Sequence, residues 1–111
     1  MQSQYEQSRS FLGFYIAGFA HHDGLSVIDE LTLGTNVDLR CEPGNPYDPE
    51  AVAVYYGDTK LGYVPRDKND YLFHLLYFGH EDVFEARINA ADTAAHPEKQ
   101  FRVAVKITDK R

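Results

Sequence analysis

The chain has 111 residues, 43% hydrophobic and 25% charged, which makes one domain with its own core and excludes a second. A single cysteine, Cys41, excludes an intrachain disulfide and fits a reducing compartment. The formal net charge of −6 argues against a protein that coats nucleic acid through a broadly basic surface, because phosphate neutralisation supplies most of such affinity.

The first ten residues, MQSQYEQSRS, are polar and read as a flexible lead-in to a domain over 11–111. They lack the basic-then-apolar order of a signal peptide. No apolar run reaches the roughly 18 residues of a membrane span, so a cytoplasmic protein is expected. Phe14 to Phe19 is aromatic and strand-like, and Gly18 within it predicts a bulge or a close backbone approach. Asp23 to Gly34 predicts a loop with a short helical turn, ended by Gly34. Val37, Leu39 and Cys41 alternate with Asp38, Arg40 and Glu42, the period of a half-buried strand.

A turn cluster follows from Pro43 to Pro49. Ala51 to Tyr56 is continuously apolar, as in a strand buried on both faces; of Tyr55 and Tyr56, one is expected to pack and one to face solvent. Gly57-Asp58 predicts a hairpin into a strand over Lys60 to Val64, ended by Pro65. Asp67 or Asn69 is placed to cap a helix carrying Tyr71, Leu72, Leu75 and Leu76 at helical spacing, with Gly79 as its stop. Two further alternating strands, around Phe84 to Ala90 and Phe101 to Ile107, flank a polar loop from Asp92 to Lys99. About six short strands and one or two helices predict a mainly β protein, a small OB-like or SH3-like barrel with one end closed by the helix.

The segment EPGNPYDPEAVAV, Glu42 to Val54, is the most informative stretch. Asn45 and Asp48 each precede a proline and are pushed toward extended backbone, which stiffens the loop. A stiff loop presents Asn45, Tyr47 and Asp48 with little entropy to lose on binding. Their chemistry is an amide, a flat ring with a hydroxyl, and an acceptor pair. The same Asn and Asp can instead serve only to cap the turn through local backbone bonds.

In order and spacing, the chain resembles the HIRAN domain family over roughly Phe14 to Ile107. The resemblance rests on GFYIAGF, on the leucine and glycine spacing from Leu31 to Leu39, on EPGNPYDPEAVAV, and on KLGYVPRDKN before a leucine-rich helix ending at Gly79. HIRAN domains occur fused to helicase-like ATPases of DNA repair and fork remodelling, and in bacteria as short stand-alone proteins, which this chain is similar to. The resemblance implies a modified OB-like barrel that binds the 3′ end of single-stranded DNA. It implies Tyr15 and Tyr47 as the rings that hold the terminal base, and Asp48 as acceptor of the free 3′ hydroxyl. Asn45 would bond the end nucleotide or brace the loop.

Phosphate contacts fall to Arg66, with Lys60, Lys68 and Arg40 as helpers. The sequence departs from DNA-binding members at Phe14, where they can have Arg; at Tyr63, where they can have His and which stays among the expected DNA-contacting residues; and at Pro65, where they can have a basic residue. Implied partners are a single-stranded 3′ end and a separately encoded helicase or nuclease.

No catalytic motif is present: no Ser/His/Asp order, no CxxC and no Gly-rich phosphate loop. Neither a metal nor another cofactor is expected. His21-His22-Asp23 reads as a polar loop, because adjacent histidines on a strand point to opposite faces. His74 and His80 have no partner at metal-ligand spacing, and Cys41 lies on the apolar phase of its strand. The acidic charge and the missing basic positions leave a second reading, a protein-interaction or regulatory module of the same fold that has lost DNA binding.

Overall fold

A computed structural model describes residues 8–108. The strands are β1 (Ser8–Tyr15), β2 (Asn36–Glu42), β3 (Ala51–Tyr56), β4 (Thr59–Tyr63), β5 (Phe84–Ala91) and β6 (Phe101–Thr108), with one α-helix, α1 (Asp70–Tyr77), between β4 and β5. Residues 8–10 of the expected lead-in belong to β1; residues 1–7 lie outside the described range. Among the described residues no helix is long and apolar enough to cross a membrane.

The strands form one antiparallel sheet in the order β1-β6-β5-β2-β3-β4. The sheet curls into a half-barrel, as the strand count predicts. Its two edges meet just beyond β1, where Ala17 and Tyr63 exchange both backbone hydrogen bonds, at 2.8 and 2.9 Å. This seam removes the exposed edge that an open sheet would present there. Gly62 makes the seam possible. A Cβ at this residue would collide with the Ala17 carbonyl oxygen and lie 2.7 Å from Ile16 Cγ2.

β1 ends earlier than the strand expected over Phe14 to Phe19. The reason lies in side-chain parity. Phe14 and Ile16 point into the core, so a strand continuing with period two would aim Phe19 outward. Gly18 takes a left-handed conformation instead (φ 73°) and starts a 3₁₀ turn over Phe19–His21. Phe19 is thereby turned inward, 1% exposed, with its ring 4.8 Å from that of Phe101. Gly18 therefore makes a turn, with neither a bulge nor a close backbone approach.

The core is one cluster that joins Phe14, Ile16 and Phe19 to residues of β3–β6 and α1, including Val52, Leu61, Leu72, Ile88 and Val103. Ala51 to Val54 are buried throughout, as their unbroken apolar run predicts. Tyr56 packs against the core, while Tyr55 carries the Arg40 guanidinium 4.0 Å above its ring. Cys41 is a half-buried packing residue.

α1 packs against β2 and β3. Its inward stripe is Leu72 and Phe73, with Leu76 packed beside them; Tyr71, expected on that stripe, is largely exposed. The helix stops at Gly79 through paired bonds, Gly79 N–H to the Leu76 carbonyl and His80 N–H to the Leu75 carbonyl. At its other end Asn69 sits in the capping position, yet neither it nor Asp67 supplies a side-chain cap. The Asn69 amide is engaged elsewhere, at the loop described next.

Candidate nucleic-acid interface

Beside the seam lies a groove of about 740 Å³. One wall is the loop from Gly44 to Asp48; the other includes Ala17, His22, Tyr63 and Arg66. Asn45 organises the loop. Its side-chain oxygen accepts the backbone N–H groups of Tyr47 (2.8 Å) and Asp48 (3.1 Å). Its NH₂ group donates to Glu42 Oε1 (3.1 Å) and to the Tyr63 hydroxyl (3.3 Å). Both donor hydrogens and both acceptor sites are then occupied, so Asn45 braces the loop and has nothing left for a ligand.

Beneath the loop, Glu42, Lys60, Tyr63 and Asn45 form a half-buried network. Lys60 Nζ lies 2.7 Å from Glu42 Oε2 and donates to the Tyr63 hydroxyl at 2.6 Å, and that hydroxyl donates to Glu42 Oε1 at 2.8 Å. Burial disfavours the Glu42 carboxylate, but hydrogen bonds from Lys60, Asn45 and Tyr63 outweigh it and hold its pKa below the ordinary value. Burial likewise opposes the Lys60 charge, and Glu42 and Tyr63 overcome it, raising its pKa. Lys60, predicted to help hold phosphate, is thus neutralised inside the wall.

Asp48 is fixed from three sides. Its Oδ1 accepts the Glu50 backbone N–H at 2.9 Å and its Oδ2 accepts the Asn69 amide at 2.9 Å, with Arg66 Nε 3.5 Å away. Asn69 is itself 3% exposed, so the donor end of this part-buried bond is shielded from water. A carboxylate offers about four acceptor directions, so one remains for a hydroxyl entering the groove. Arg66 is 77% exposed at its side chain and stands at the rim. Tyr47 is 86% exposed and contributes an open aromatic face to the groove.

The other rings that line the groove are His22 and Tyr63, and Tyr15 is not among them. Tyr15 is exposed on the outer face of β1 and does not line the groove. His22 lies edge-on to Tyr63, with ring centroids 5.5 Å apart. Its pKa is lowered, first by burial and then by the charges of Lys60 and His21. The 3₁₀ turn after Gly18 carries the chain over the seam and delivers His22. Tyr15 stands two residues before Ala17 on the same face of the segment, beside the groove and outside its lining. His21, His22 and Asp23 lie where two 3₁₀ turns meet, in keeping with the polar loop expected there.

Arg40 does not line the groove either. Its guanidinium bonds the Gly57 carbonyl at 2.8 Å on the β3–β4 turn and lies over Tyr55. Lys68 follows Arg66 on a 3₁₀ turn (Arg66–Lys68) and reaches the Gly13 carbonyl at 3.3 Å. Phe14 is buried in the core, and Tyr63 forms part of the wall without filling the groove.

One other cluster was not legible in spacing. Glu50, Asp70 and His74 bring ligand-type atoms within 4.8 Å of one another. His74 Nδ1 lies 2.8 Å from the Asp70 carbonyl, and its Nε2 is 3.7 Å from Glu50. The bond to the Asp70 carbonyl raises the His74 pKa; burial opposes it, and the Glu50 and Asp70 carboxylates add to the rise. The arrangement is that of a surface ion-pair cluster tying α1 to the loop.

These features define a curled antiparallel β domain with a preformed groove at its closing seam. The chain belongs to the HIRAN domain family, whose model matches residues 10–108, a family of generally nucleic-acid-binding domains. Two solved structures share the fold. One is a protein from Lactobacillus plantarum (TM-score 0.76, 22% identity, 90% of this chain and 94% of that one). The other is the HIRAN domain of human HLTF (TM-score 0.66, 15% identity, 94% of this chain and 82% of that one). None of the curated proteins matches the sequence at a significant level.

Proposed function

We propose that this chain is a binding domain, without a catalytic site of its own, for the 3′ end of single-stranded DNA. The observation that carries the reading is Asp48, held rigidly in the groove wall between exposed Tyr47 and Arg66. A terminal base stacks on Tyr47 and packs against His22. The free 3′ hydroxyl donates to Asp48, and Arg66 meets the adjoining phosphate. A fixed carboxylate accepts a hydroxyl and repels a phosphate in the same place, so it selects an end over a continuing strand. Stacking is indifferent to base identity, so no sequence preference is expected.

The open groove also supports this reading over a protein-interaction module. Phe14 or Tyr63 filling the site would have favoured the module, and neither does so. We place the domain in the cytoplasm, in DNA repair or fork processing, acting beside a separately encoded helicase or nuclease. The family resemblance supports that placement.

The test is fluorescence anisotropy with a short labelled oligonucleotide ending in a 3′ hydroxyl, a 3′ phosphate or an internal label on a closed circle. Tighter binding of the hydroxyl end is expected. Equal affinity for all three would reject the role of Asp48.

A further inference from the structure

Four cations of this acidic chain lie along one path that leaves the groove. Arg66 stands at the groove rim, and one 3₁₀ turn later Lys68 Nζ rests 3.3 Å from the Gly13 carbonyl. Arg102 on β6 pairs in register with Tyr15 on β1, and its guanidinium lies flat across Gly13: a Cβ there would be 2.7 Å from its Cζ. Lys99 Nζ is 5.8 Å from the centre of the Tyr15 ring. Tyr15 itself is exposed, two residues before the groove-lining Ala17 and on the same strand face.

The path is continuous. Gly13, Tyr15 and Ala17 share the outer face of one extended segment, and the cations flank that row on both sides. Lys68, Lys99 and Arg102 have no carboxylate in ion-pair contact among the described residues. Of the nearby acids, Glu98 accepts the Gly18 backbone N–H at 3.3 Å, and Asp67 lies between Arg66 and Lys68 in sequence. Farther along β6 the next outward cation, Lys106, stands in register with Glu85, whose carboxylate is held by Arg87 at 2.8 Å.

We propose that this β1–β6 face is a second subsite that carries the sugar-phosphate backbone of the nucleotides preceding the bound end. Lys68, Lys99 and Arg102 hold phosphates, and Tyr15 offers a ring to one unstacked base. The proposal rests on the end-binding reading for its direction, because the strand enters the path from the groove. Charge complementarity favours a polyphosphate chain: the cations are strung along a line, and an aromatic face lies among them. The structure also gives Tyr15 a role outside the terminal pocket.

The test compares wild type, the double variant K99A/R102A and Y47A on oligothymidylates of two, four, six and ten nucleotides at several salt concentrations. For the wild type, affinity rises with length beyond the end nucleotides, and the salt dependence steepens with it. The double variant keeps wild-type affinity for the dinucleotide. It loses about ten-fold or more on the decamer near 50 mM salt, and its log–log salt slope falls by about 1.4 for two lost phosphate contacts. Y47A weakens every length alike.

Wild-type binding that does not grow with length, or a double variant with unchanged slope, overturns the path while leaving end binding intact. Length-dependent binding that needs Arg102 but ignores the 3′ hydroxyl overturns the end pocket instead. A polyglutamate of matched charge that binds as tightly as the decamer, through Lys99 and Arg102, overturns the nucleic-acid assignment. No binding at any length overturns both.

Discussion

The amide of Asn69 donates to Asp48 Oδ2 at 2.9 Å, joining the start of α1 to a loop 21 residues earlier in the chain. Through this bond the helix sets the direction of the carboxylate assigned to the strand end. Asn69 is thus a positioning residue. It gives up a capping bond to its own helix to serve the loop.

Asn69→Ala is expected to lose about 1–2 kcal/mol of stability, the cost of removing a part-buried hydrogen bond to a charged group. Urea unfolding measures that loss. Its specific signature is in binding: the preference for a 3′ hydroxyl over a 3′ phosphate narrows, while overall affinity for the strand falls much less. A merely structural role would lower both ends' affinity in parallel.

Tyr47→Ala is expected to weaken end binding by about 1–3 kcal/mol, the range for loss of one base stack. With 86% of the residue exposed, the melting temperature stays unchanged. Anisotropy and thermal unfolding on the same preparation separate the two effects.

The Glu42–Lys60 pair gives stability a defined pH window. The folded pKa of Glu42 is lowered from 4.5, so its contribution is complete above that value and is lost as pH falls through the folded pKa. The folded pKa of Lys60 is raised from 10.5, so its contribution is complete below that value and is lost as pH rises through the folded pKa. Glu42→Gln is expected to cost about 2 kcal/mol at neutral pH, by leaving a half-buried ammonium without its counter-charge. It also flattens the acid limb of stability, as read from urea midpoints between pH 3 and 7.

His22 introduces a pH dependence of binding with the opposite sense. Its lowered pKa keeps it neutral at pH 7, and protonation begins only as pH falls below the ordinary 6.5. A strand phosphate near the groove gains a cation when this happens. Affinity for the oligonucleotide is therefore expected to rise from pH 7.5 to 5.5, and His22→Ala to abolish most of that rise. An identical pH profile in the variant rejects the placement of His22 against the ligand.

Gly62→Ala tests the seam. The added methyl meets the Ala17 carbonyl in a backbone conformation, φ 152°, that side chains rarely adopt. A loss of about 3 kcal/mol is expected, from strain and broken pairing together. Hydrogen exchange at the Ala17 and Tyr63 amides should accelerate ahead of the rest of the sheet.

Much of this protein was legible in its sequence because the governing interactions are local. Alternation in Val37–Cys41 and Phe101–Ile107, the unbroken apolar run of Ala51–Val54 and the stop at Gly79 each depend on a few neighbouring residues. The proline-bracketed loop was legible for the same reason: two pre-proline positions and an Asn side chain organise it from within. Order and spacing of these pieces were enough to indicate the family.

What only the tertiary structure decided was which side chains share a place. His22 came to the groove because a left-handed glycine, Gly18, ends the extended segment and turns the chain over the seam. Lys60 was withdrawn from the surface by Glu42 and Tyr63, and Arg40 was directed to a distant turn. Asn69 came to Asp48 when α1 packed on the sheet, and Arg102 and Lys99 came beside Tyr15 when β6 paired with β1. The loop residues of EPGNPYDPEAVAV could be read from the chain because they hold one another. Their partners across the groove could not, because closure of the barrel, not proximity in sequence, brings them there.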